Sequence, residues 1–207
     1  MVLAALWCAP SEGMKMAKTA RRQAPGERRE AVLDAAETLV LETGAAHLTM
    51  DAVALRAGVS KGGVLHHFPT KRDLIGAMLD RLLAVFEGDA EIIERIAGRD
   101  LKPQLHAWIR LTETPDPKVE RMAAALLSAV ANEPDLLSPF GVMMQQRLAQ
   151  HGAHPDYPKV LAIRTALDGY WLCNAIGLKL FAENEKAAFF AALHAMVDGI
   201  DTGQASA

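Results

Sequence analysis

Lys61-Gly62-Gly63 followed by His66-His67 places three hydrogen-bond-donating side chains and two bare backbone positions within two helical turns of a 207-residue chain. Lys61 can donate to a guanine O6/N7 edge or to a phosphate. Gly62 and Gly63 each cost about 1 kcal/mol of helix propensity relative to alanine, which argues against a pure packing role and favours close approach of the backbone to a partner. His66 and His67 can donate to phosphates or bases, more strongly when protonated. Enzyme chemistry is poorly served by comparison. His151 and His154 flank Gly152-Ala153 with no third ligand type beside them. Neither Cys8 nor Cys173 has a nucleophile's setting, and there is no Gly-rich phosphate loop. We therefore expect no catalytic site, no metal and no cofactor.

The elements that must hold those donors can be read on either side of them. Thr49 is suited to cap a helix whose inward face is Val53, Ala54 and Ala57. Gly58 stands where a helix ends in a left-handed residue. Ser60 then caps a second helix, with Val64 and Phe68 as its core face and Leu65 beside them. Two helices joined by a three- to four-residue turn containing glycine are the helix-turn-helix signature, which lays its second helix in the major groove of DNA.

The pattern Thr49-x-x-x-Val53-Ala54-x-x-Ala57-Gly58-Val59-Ser60-x-Gly62-x-x-x-x-His67-Phe68-x-x-Lys71-x-x-Leu74 resembles the tetracycline-repressor (TetR) family. The resemblance implies backbone contacts from Thr49, His67 and Lys71. Many such sequences carry an aromatic where Leu65 stands and Thr or Ser where Gly63 stands. Base reading is thus expected from Lys61, His66 and the glycine backbone, with Leu65 limited to an apolar contact such as a thymine methyl. Arg28 and Arg29, at the start of the preceding helix, oppose its dipole; a nearby phosphate would remove the conflict. The expected DNA-binding set is Arg28, Thr49, Ser60, Lys61, Gly62, Gly63, Leu65, His66, His67 and Lys71.

Charge is distributed to match. The chain carries −3 in all, but residues 14–72 hold ten Lys/Arg against six acids, leaving −7 on the remainder. A basic module on an acidic body suits a protein that touches a polyanion at one end. The composition is 51% hydrophobic, 5% aromatic and rich in Ala, Leu and Met, which favours an all-α fold with a sizeable core. No run of about 18 uncharged apolar residues exists, so no membrane span is expected. Met1–Ala9 is apolar but lacks a basic start; it reads as a tail, or as sequence ahead of a start at Met14 or Met16, rather than as a secretory signal. Two cysteines in unlike settings make no disulfide framework, which points to a reducing cytoplasm.

Periodicity predicts about nine helices. Residues 1–25 read as a flexible basic arm, in which Lys15, Lys18, Arg21 and Arg22 either follow DNA or merely solubilise the chain. Residues 26–72 form the three-helix DNA-binding head and 73–207 a helical ligand-binding and dimerisation domain. The first helix runs from Gly26 to Thr43. The capping box Thr70-Lys71-Arg72-Asp73 opens a long fourth helix reaching Ala97. Helices follow near 101–111, 118–131, from Pro134 to about His151, 156–181 and 185–200. The last two are apolar on more than one side, as a helix buried twice must be.

The TetR resemblance implies that these last two helices join two subunits, setting two heads on a palindromic double-stranded operator. It also implies that a small, largely apolar effector enters the body. Trp108, Met122, Met143, Met144, Asp168, Trp171 and Asn174 are the expected ligand-binding residues, and His106 is either a pocket determinant or a satisfied buried polar group. The expected function is a homodimeric, ligand-responsive transcriptional repressor. A ligand-independent regulator or activator, a nonspecific DNA-binding protein, and a helical binding protein or enzyme with a vestigial head are the alternatives.

Overall fold

The computed structural model describes residues 25–131 and 133–201. All but one residue of the arm expected at 1–25 therefore lies outside the described residues. Within them the fold is all-α: α1 (Pro25–Thr43), α2 (Met50–Ala57), α3 (Lys61–His67), α4 (Lys71–Ala97), α5 (Leu101–Glu113), α6 (Pro117–Ala129), α7 (Ser138–Ala149), α8 (Tyr157–Ala175) and α9 (Glu183–Asp198). Short 3-10 turns precede α2 and α7.

The head is defined by its caps. Thr49 Oγ1 accepts from the Ala52 amide at 3.1 Å, and Ser60 Oγ accepts from the Gly63 amide at 3.1 Å. Gly58 adopts φ 66°, and Val59 N→Ala54 O (3.0 Å) with Gly58 N→Leu55 O (3.3 Å) closes a Schellman turn. At α4 the amides of Thr70 and Asp73 each donate to the other's side chain, completing the capping box.

Val53, Val64 and Phe68 are buried as their spacing requires. They belong to a core that also holds Leu74 and Met78 of α4 and Met122, Ala123 and Leu126 of α6, so one apolar cluster joins head to body. Arg81 of α4 reaches back to α1, pairing with Glu30, with Asp34 at 2.7 Å and with buried Glu37 at 3.2 Å. Arg72 pairs with Glu133 and Asp135 ahead of α7. A second core joins α5, α8 and α9 around Leu105, Ile109, Ile163, Leu167, Phe190 and Val197.

Two boundaries differ from the sequence expectation by more than two residues. The helix expected from Pro134 is a 3-10 turn, Pro134–Leu137, followed by α7 from Ser138. Pro139 explains the restart: it lacks an N–H, and its ring would strike the Asp135 carbonyl in a continuous helix. The helix expected to reach Phe181 ends at Ala175. Gly177 takes φ 78°, and Leu178 N→Cys173 O (2.8 Å) with Gly177 N→Asn174 O (2.9 Å) forms a second Schellman turn. A glycine followed by apolar residues is compatible with continued helix; the left-handed residue stops it. No helix is long and apolar enough to cross a membrane among the described residues.

Candidate nucleic-acid interface and body cavity

Lys61, Gly62 and Gly63 form the first turn of α3, its outer side open to solvent. A Cβ built on Gly62 would meet only Ser60 Oγ at 3.9 Å. On Gly63 it would meet Ser60 Oγ at 3.5 Å and Val59 Cβ at 3.6 Å, ordinary contacts. Packing within the protein therefore does not demand glycine at either place. Lys61 Nζ lies 2.9 Å from Asp51 Oδ2, a pair exposed on both sides. Such a pair is worth only about 0–1 kcal/mol, so a phosphate or base edge can take over the ammonium at small cost.

Arg28, Ser60, Gly63, His66 and His67 converge on one concavity of about 270 Å³ between the start of α1 and α3. Val64 turns inward from the same helix, while Leu65 is 37% exposed beside the donors. Thr49 and Lys71 are exposed at the starts of α2 and α4. Thr49 and Ser60 each use a lone pair as a cap, and each keeps its O–H to donate. Arg29 is occupied differently, stacked over the Phe68 ring at 5.1 Å with a hydrogen bond to Glu30.

In the body, a cavity of about 190 Å³ lies among α4, α5, α6, α7 and α8. Five of the seven expected ligand residues line it: Trp108, Met143, Met144, Asp168 and Trp171. Met122 instead lies in the core joining head to body, 1% exposed, and Asn174 is half-buried outside the cavity lining. Their apolar sequence surroundings were shared by core and cavity positions alike. His106 is also elsewhere: its Nδ1 lies 2.7 Å from His194 Nδ1 and its Nε2 3.1 Å from Asp198 Oδ1, a satisfied polar group between α5 and α9. His154 Nδ1 accepts from the Asp156 amide at 3.1 Å, ordering the loop into α8.

Of the charged side of this cavity, sequence reasoning found Asp168 but missed three further residues. Asp89, Arg147 and Arg164 all line it. Arg164 is 7% exposed, its guanidinium 4.5 Å from the Trp108 ring centroid; that of Arg147 lies 5.3 Å from the same centroid. Arg147 donates to the Phe86 carbonyl at 2.6 Å. Burial pushes the Asp89 carboxyl up to about 6, against the pull of Arg147. It pushes Asp168 up as well, against Arg164 and Arg147. A signal existed: Arg164 falls between Val160 and Leu167 on the inward face of α8.

A capped helix-turn-helix with an open recognition turn, carried by a helical bundle with an internal cavity, is the build of a DNA-reading regulator. Two family models match the chain: "Bacterial regulatory proteins, tetR family" over residues 32–78, and "Tetracyclin repressor-like, C-terminal domain" over 103–198. The chain belongs to the TetR family. An HTH-type transcriptional repressor of Mycobacterium tuberculosis is 41% identical over 90 residues, covering 39% of this chain and 48% of that protein. The repressor BepR of Brucella suis is 40% identical over 55 residues, 27% of this chain and 26% of its own. The chain thus spans about half the length, or less, of the curated relatives it matches. Among solved structures, NalD of Pseudomonas aeruginosa, secondary repressor of the MexAB-OprM multidrug efflux pump, aligns with TM-score 0.61 and 20% identity over 87% of this chain and all of its own. The multidrug binding protein EbrR, complexed with imidazole, aligns with TM-score 0.65 and 22% identity over 86% and 93%. At those identities the likeness is one of fold.

Proposed function

We propose that the protein is a homodimeric transcriptional repressor that binds a palindromic operator and is released by a small molecule with a largely apolar body. Residues 26–72 act as the reading head and 73–207 as the ligand-binding and dimerisation body. The single observation that carries this reading is the role of α4. Its first turns, Leu74 to Met78, lie in the core of the head, and its later residues Phe86 and Asp89 line the cavity. A ligand pressing on Phe86 and Asp89 acts on the helix that aims α3. The ligand need only prefer the misaligned state: about 1.4 kcal/mol of preference per tenfold loss of DNA affinity.

Dimerisation is supported by faces of α8 and α9 that stay exposed among the described residues. Ala162, Thr165, Gly169, Leu172 and Ile176 recur along the exposed side of α8, and Ala188, Ala191 and Ala195 along that of α9. Small and apolar residues on both helices let two copies approach closely as a four-helix interface. Two-fold symmetry would then set the recognition helices roughly 34–36 Å, or a multiple, apart. The relatives named as repressors support the sign of the regulation.

The test is footprinting on the DNA upstream of the gene. The expected result is one protected palindrome whose half-sites are centred about one turn, or a whole number of turns, apart. Uniform weak protection, with no preferred site, would refute the reading.

A further inference from the structure

The cavity in the body has one property that an apolar effector does not explain. Arg164 is buried, lines the cavity and, among the described residues, has no hydrogen-bond or ion-pair partner; its guanidinium sits over the face of Trp108. Arg147, over the same ring, spends one donor on the Phe86 carbonyl. Guanidinium groups do not shed their protons in proteins, so two permanent cations share one indole. Glu87, Asp89 and Asp168 act on the pair only through space, and burial raises the carboxyls of Asp89 and Asp168 above their ordinary range. Among the described residues none of the three carboxylates lies within ion-pair distance of either arginine, and Asp89 Oδ1 is buried with no donor. Arg164 is therefore a buried guanidinium with no bonded acceptor, and its planar fork matches a carboxylate geometrically. Next to it the wall turns apolar with Phe86, Phe140, Met144 and Trp171. Beyond Phe86, Phe140 and Trp171 lies a further apolar cavity of about 220 Å³.

We propose that the effector is an organic acid: a carboxylate held by Arg164 and Arg147 above Trp108, with an aromatic or aliphatic body lying along Phe86, Phe140 and Trp171. The proposal rests on the regulator reading above, and names the class of molecule that reading leaves open. Both arginines and Trp108 also line a second, more polar cavity of about 640 Å³, so the carboxylate would sit where the two spaces meet. An acid bound there neutralises the pair, gives Arg164 the acceptor it lacks and presses its apolar end on the α4 residue Phe86.

The experiment uses three probes of one shape and different charge: 4-phenylbutyrate, 4-phenylbutanamide and 4-phenylbutylamine, titrated calorimetrically into the full-length protein. The carboxylate should bind at least tenfold more tightly than the amide and the amine. In Arg164→Gln its affinity should fall to that of the amide, whose own affinity stays put. Equal binding of acid and amide, tightest binding of the amine, or no binding by any of the three overturns the proposal. The comparison among probes on the unaltered protein stands even if Arg164→Gln does not fold. Operator binding without any probe is measured alongside. Intact operator binding with no preference for the acid removes only the ligand class. A clear preference for the acid with no operator binding removes only the regulator reading.

Discussion

Gly62→Ala separates two demands that usually coincide. Gly62 is the second residue of α3, with ordinary helical backbone, and an added Cβ would touch only Ser60 Oγ at 3.9 Å. In the free protein the substitution removes a glycine from a helix without creating a clash, so it should stabilise by about 0.5–1 kcal/mol. For a chain of this size, that raises the melting temperature by roughly 1–4 °C. On DNA the same methyl group points outward from the first turn of the recognition helix, where the backbone must approach a base edge or phosphate. Losing that approach should cost about 1–3 kcal/mol, on the order of ten- to hundredfold in affinity. Thermal unfolding and fluorescence anisotropy with labelled operator at fixed salt read the two effects from one preparation. A protein that is more stable and binds DNA more weakly supports the argument. Unchanged or tighter operator binding would refute it and leave the paired glycines without an explanation.

The other predictions concern charges and one surface. Lys61→Ala breaks only an exposed pair with Asp51 and should move stability by less than about 0.5 kcal/mol, while weakening operator binding. If Lys61 holds a phosphate, the slope of log affinity against log salt falls by about one; if it reads a guanine, the loss concentrates at one base pair of a mutated operator series. Arg81→Ala strands the buried Glu37 carboxylate and should destabilise by about 2–4 kcal/mol in urea, with Glu37→Gln in the same chain recovering part of the loss. Ala195→Glu, on the exposed side of α9, should convert the dimer to a folded monomer by light scattering; a persistent dimer would place the interface elsewhere. For Asp89, burial raises the folded pKa from 3.8 to about 6, so ionisation opposes folding: the penalty is absent below about pH 4 and complete above about pH 6. Asp89→Asn should therefore stabilise by about 1–3 kcal/mol near pH 7.5, a gain that vanishes toward pH 4 in urea titrations.

What was legible in the sequence is what short-range chemistry dictates. Thr49, Gly58, Ser60 and the Thr70–Asp73 box announce their roles by type and spacing, because a cap needs only the neighbouring turn. The inward positions of Val53, Val64 and Phe68 follow from period alone. What was not legible depends on which helices meet. Met122 and Met143 look alike in sequence, but α6 turns one toward the head and α7 turns the other into the cavity. The charged side of the cavity needed α4, α7 and α8 to bring Asp89, Arg147 and Arg164 together, and no spacing along the chain encodes that meeting. Only Arg164, set within an apolar stripe, carried a local hint. The early end of α8 turned on one left-handed glycine, Gly177, amid residues otherwise compatible with helix.

Sequence-specific operator binding is the claim on which the rest depends. Anisotropy titration of the protein against the footprinted palindrome, and against a scrambled duplex of the same composition at physiological salt, tests it most directly. The account predicts binding to the palindrome at least a thousandfold tighter than to the scramble, with a stoichiometry of two chains, or a multiple of two, per site. Equal affinity for the two duplexes would contradict it.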